Sequence, residues 1–154
     1  MAALRQTRGI ATALVATTIA AGLSLATVAG PALAATIDLA PSKTIGGSAT
    51  DLSGPLGNAT DATGNLYVTN YYTGSVTVFD PTTSGNTAPT RTLTGGLTGP
   101  AGVALDGSAN LYVADMGAAT IAVYDHGASG GATPIRAISG SNTGLSGPYG
   151  IALD

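Results

Sequence analysis

The side chains able to do chemistry in this chain are few and of few kinds. All eight acidic residues are aspartates, there is one histidine, His126, and cysteine is absent. A metal site or a Ser/His/Asp relay needs partners held close to its histidine. His126 stands instead in a Gly- and Ser-rich segment, His126-Gly127-Ala128-Ser129-Gly130, that reads as a solvated loop. Asp61, Asp106 and Asp154 recur at a near-constant interval, as do Asn65 and Asn110. Recurrence in every unit of a repeat points to turn chemistry rather than catalysis, because an Asp oxygen accepts the backbone N–H two residues on and tightens a reversal. The Gly-rich run at 127–131 is no phosphate cradle, since no Lys follows it and no helix is predicted there. One pair breaks the repeat: Tyr71-Tyr72 stands where the next unit has Met116-Gly117. Such departures are the better suspects for ligand contact, against the plainer reading of amphipathic rings capping a sheet edge.

The elements that must position these residues form a repeat. Gly54-Pro55-Leu56-Gly57 leads to Asp61, then Asn65-Leu66-Tyr67-Val68, Ser75-Val76-Thr77-Val78-Phe79-Asp80 and Pro89-Thr90-Arg91-Thr92-Leu93. Gly99-Pro100-Ala101-Gly102 opens a second copy through Asp106, Asn110-Leu111-Tyr112-Val113, Thr120-Ile121-Ala122-Val123-Tyr124-Asp125 and Pro134-Ile135-Arg136-Ala137-Ile138. A third begins at Gly147-Pro148-Tyr149-Gly150-Ile151-Ala152-Leu153-Asp154, and Lys43-Thr44-Ile45-Gly46-Gly47 matches the end of a unit. The period is about 45 and then about 48 residues, within the range of propellers and solenoids. Each unit predicts four short strands, near 57–61, 66–70, 75–79 and 90–94, then near 102–106, 111–115, 120–124 and 135–139. Consecutive apolar residues at Leu66-Tyr67-Val68 and Leu111-Tyr112-Val113 suit strands covered on both faces. Polar Asn58-Ala59-Thr60, in place of Val103-Ala104-Leu105, predicts a more exposed first strand.

Composition narrows the classes. The chain has 154 residues, 44% hydrophobic and only 8% charged, unlike a disordered segment. Without cysteine, stability must come from packing. Residues 1–9 carry Arg5 and Arg8, an uncharged Ala-rich run spans 10–30, and Pro31-Ala32-Leu33-Ala34 offers a small-residue cleavage site. This order predicts a secretory signal peptide over 1–34 and a secreted chain; an uncleaved anchor is the alternative. Its removal changes the net charge from −3 to about −5. An acidic body with three basic side chains excludes nucleic acid as the expected partner, and no membrane association is expected after cleavage.

The motifs Gly-Pro-x-Gly-x-Ala-x-Asp, Asn-Leu-Tyr-Val, Val-x-Val-[Phe/Tyr]-Asp and Pro-x-Arg-x-[Ile/Leu]-x-Gly over 43–154 resemble NHL repeats of the secreted bacterial type, which build six-bladed β-propellers. The resemblance implies an all-β partial propeller: a leader over 35–53 with an unpaired closing-type strand, blades over 54–98 and 99–146, and the start of a third over 147–154. Six units of this length need roughly 280 residues, so the expectation is the N-terminal portion of a longer propeller. A homotrimer of two-blade chains would leave 149–153 surplus. Open faces predict marginal stability and self-association. Propeller ligands bind on the face of the loops between second and third strands, which here implies Asn70, Tyr71, Tyr72 and Asp115 as the ligand-contacting residues, with no cofactor and no catalytic or metal residue. The expected function is a binding scaffold for a protein, a cell-wall polymer or a small ligand. The alternative is a metal-dependent enzyme, since gluconolactonase-like hydrolases and streptogramin lyases use related propellers. Those enzymes gather carboxylate, Asn or His around a central ion. This chain has no Glu, and its one His falls on the opposite face.

Overall fold

Runs of β-branched and aromatic residues become strands where Gly, Asn and Asp let the chain reverse between them. The computed structural model describes residues 40–154, so the leader peptide read over 1–34 lies outside the described residues. The described chain is all-β. Strands β1 (Pro55–Thr60), β2 (Leu66–Asn70), β3 (Ser75–Phe79) and β4 (Arg91–Leu93) form one antiparallel sheet, paired in chain order. Strands β5 (Pro100–Leu105), β6 (Leu111–Asp115), β7 (Thr120–Tyr124) and β8 (Arg136–Ile138) form a second of the same topology. A single 3-10 turn, Ser141–Thr143, is the one helical element among the described residues.

The two sheets are copies in detail. In each, the first pairing carries a register shift near its start, between Pro55 and Asn58 and between Pro100 and Gly102. That extra residue starts β1 and β5 two residues earlier than the sequence pattern predicts. The hairpins β2–β3 and β6–β7 pair without a shift, closing on Asn70 opposite Ser75 and Asp115 opposite Thr120. The fourth strands have three residues each rather than five. As the polar Asn58-Ala59-Thr60 predicts, β1 is more exposed than β5.

Two expected single strands are not strands. Residues 43–47 make one parallel bridge, from Ile45 to Gly85, and 149–153 make none. A lone segment with no neighbour in its own sheet has no ladder to join, so its backbone stays irregular. The placement of 43–47 is nonetheless informative. Leu93 of β4 bridges Gly130 in parallel just as Ile45 bridges Gly85.

The core lies between the sheets. Tyr67, Val76, Val78 and Leu93 from the first meet Val103, Leu111, Val113, Ala122 and Tyr124 from the second in one buried cluster. Each large side chain removed from water here contributes about 1.5–3 kcal/mol. The two sheets approach closely at Gly57: a Cβ there would run into the Ala101 carbonyl oxygen and fall 3.0 Å from Gly102 Cα. Only glycine allows two strands so near. Thr69 completes the contact by donating from Oγ1 to the Ala101 carbonyl at 2.9 Å. One repeat on, a Cβ on Gly102 would fall 3.3 Å from Gly150 Cα, while Gly150 itself faces open space.

Candidate functional site

The β2–β3 and β6–β7 hairpins end in loops at 71–74 and 116–119, beside the crossovers that lead into β1 and β5. Asn70 closes the first hairpin and is fully buried. Its Oδ1 accepts Ser53 N–H at 3.0 Å, and its Nδ2 donates to the Val68 carbonyl at 3.3 Å and to Thr77 Oγ1 at 3.1 Å. Asp115, its counterpart, is 1% exposed. Its carboxylate accepts from Thr98 N–H at 2.8 Å, Gly99 N–H at 2.9 Å, Thr98 Oγ1 at 3.1 Å and Ala118 N–H at 3.2 Å. Both side chains therefore tie a crossover to a hairpin, and their hydrogen-bonding groups are engaged within the fold.

The tyrosines differ from them and from each other. Tyr71 is half-buried and reaches Gly99, where a Cβ would fall 3.0 Å from its ring. Met116 stands in the same relation to Gly147, at 3.5 Å. Tyr71 is thus the aromatic version of a contact that both units make. Tyr72 has no such equivalent: it is 78% exposed, and its ring meets that of Tyr71 edge-on, centroids 5.5 Å apart and planes at 74°. Of the four residues that the resemblance implies, the structure leaves Tyr72 as the one freely presented to solvent.

A second polar cluster lies where the β1–β2 turn meets the segment after β7. Asp61 accepts from Thr63 and Asn65, through backbone and side chain of each, and from Tyr67 Oη at 3.3 Å. Partial burial pushes its carboxyl up, but these donors outweigh it and hold the group well below the usual carboxylate range. Arg91 donates from Nη2 to Tyr67 Oη at 3.0 Å and from Nη1 to the His126 carbonyl at 2.6 Å. Burial pushes the Tyr67 phenol up, with Arg91 opposing it. These groups line an open cleft of about 450 Å³. His126 is exposed, with an Asp125 carboxylate oxygen 3.5 Å from its Nδ1. The second sheet repeats the arrangement: Asn110 donates to Asp106, and Arg136 donates to Tyr112 Oη at 2.6 Å. The cluster is built into the repeat. Sequence reading recognised its Asp and Asn but missed Tyr and Arg; the signal was the identical 24-residue separation of Tyr67 from Arg91 and Tyr112 from Arg136.

Among the described residues, no three His, Asp, Glu or Cys side chains stand close enough to hold a metal ion. The outer face of the first sheet, around Leu56, Leu66, Val68 and Phe79, opens into a groove of about 570 Å³ that Lys43, Ile45 and Leu52 partly cover. No protein-family model matches the chain, and no curated protein matches it.

Proposed function

We propose that the chain supplies two consecutive blades of a secreted, NHL-like β-propeller that serves as a binding scaffold. The observation that carries this reading is a spatial step repeated at the period of the sequence. Gly57 closes on Gly102 as Gly102 closes on Gly150, and Ile45 meets Gly85 as Leu93 meets Gly130. A radial array of like sheets needs one such step per sheet. Lys43–Gly47 then stands to the first sheet as β4 stands to the second, which suits a strand that completes a neighbouring blade.

The binding role follows from what the side chains are free to do. Asn70 and Asp115 are occupied by the fold, the Tyr–Arg pair beside the Asp–Asn turn recurs within each sheet as part of the repeat, and Tyr72 breaks the repeat on the hairpin-loop face. The test is turnover against retention. The purified chain is incubated with a panel of lactones and Ca²⁺ or Zn²⁺, with and without chelator, and passed over immobilised cell-wall polymers and proteins. The scaffold reading predicts retention on one of these surfaces with no turnover. Chelator-sensitive hydrolysis contradicts it and favours a propeller hydrolase.

A further inference from the structure

We infer that Tyr72 is the stacking platform of a site for an uncharged sugar ring, so that the ligand of the hairpin-loop face is a neutral glycan. This deepens the scaffold reading and rests on it. The first observation is that the ring is both open and held. Tyr72 is 78% exposed, yet Tyr71 abuts it edge-on, and its Cδ2–Cε2 edge lies within 2.7 Å of where a Cβ on residue 54 would stand. Gly54, at φ +61°, supplies that space because it has no side chain. A ring fixed before binding loses little freedom on binding, which is the physical meaning of a preorganised platform.

The second observation is the chemistry around it. The loop Asn70–Ser75 and the two crossover segments beside it, Ser53-Gly54-Pro55 and Thr98-Gly99-Pro100, contain no charged residue. Thr73 is exposed, and its hydroxyl shares one hydrogen bond with Ser75 Oγ at 3.0 Å, leaving capacity for another partner. The Asp115 carboxylate that braces Thr98 and Gly99 is buried, so an apolar ring face on a loop with one exposed hydroxyl and no charged side chain matches a pyranose: C–H groups on one side and hydroxyls at the rim. The T-shaped pair presents one open ring rather than the parallel-walled aromatic groove that a polyproline segment requires. In the second sheet Gly117 replaces Tyr72, and a Cβ there would fall 2.8 Å from Thr98 Oγ1, so that loop offers no second platform.

The experiment compares the full chain with Tyr72→Ala and Tyr72→Trp on columns of insoluble chitin, cellulose and peptidoglycan, and on an immobilised polyproline peptide. Tyr72 makes no core contact, so both variants are expected to keep the circular dichroism of the parent. The inference predicts retention on at least one glycan, about tenfold weaker with Tyr72→Ala and preserved with Tyr72→Trp, and release by the soluble oligosaccharide. Tyr72-dependent retention on the peptide alone overturns the sugar assignment and leaves the scaffold reading standing. Retention that ignores Tyr72→Ala on every column, or no retention on any glycan, overturns the sugar site; the scaffold reading falls only if the wider panel of polymers and proteins also retains nothing.

Discussion

Tyr124 illustrates how much a single position can do in a chain this poor in charge. It is fully buried in the inter-sheet cluster, and its hydroxyl donates to the Gly95 carbonyl. Burial, with the Asp115 carboxylate adding to it, pushes the phenol up to about 12. The unfolded chain ionises this group near 10. The folded form keeps the proton longer, so the stabilisation is fully present below pH 10 and is lost as pH rises from 10 through 12. Tyr124→Phe should cost about 1 kcal/mol at neutral pH through the lost hydrogen bond, and should flatten the alkaline fall. Denaturant melts at pH 8, 10 and 11 check this; equal alkaline slopes in the two proteins would contradict it. Little of this was legible beforehand. The repeat put Tyr124 at the end of a predicted strand, but a bond to Gly95, 29 residues away, has no local signature.

The elements were the most legible level. β2, β3, β6 and β7 fall on the expected residues, because apolar runs between Asn, Asp and Gly leave an uninterrupted hairpin few alternatives. β1 and β5 were misplaced by two residues because a register shift is a property of the pairing, which neither strand carries alone. The flanking strands failed for want of a partner. The hairpins also contain a defect that the repeat exposes. Gly74 adopts φ +59°, and its counterpart Ala119 is held at φ +52°. A side chain in that region costs about 1–2 kcal/mol, partly offset by the entropy that glycine loses on folding. Ala119→Gly should therefore raise stability by about 0.5–1 kcal/mol, read as a higher denaturant midpoint with unchanged slope. A lower midpoint would show that the loop draws its stability from the alanine methyl.

For the molecule as a whole, the repeat predicted two like sheets, and the structure adds the glycine step that spaces them. The candidate site was less legible. The sequence could mark Tyr71-Tyr72 as irregular, but only the structure separates the tyrosine that packs on Gly99 from the one open to solvent, or finds Asn70 and Asp115 consumed as braces. The central claim is that one unit packs on the next through a step that repeats. The most direct measurement is the nuclear Overhauser pattern of the glycine Hα protons in the labelled chain. The account predicts cross-peaks linking Gly57 to Gly102 and, equivalently, Gly102 to Gly150. A spectrum in which Gly57 and Gly102 share no cross-peak, while β1 and β5 each keep those to their own sheet, would contradict it.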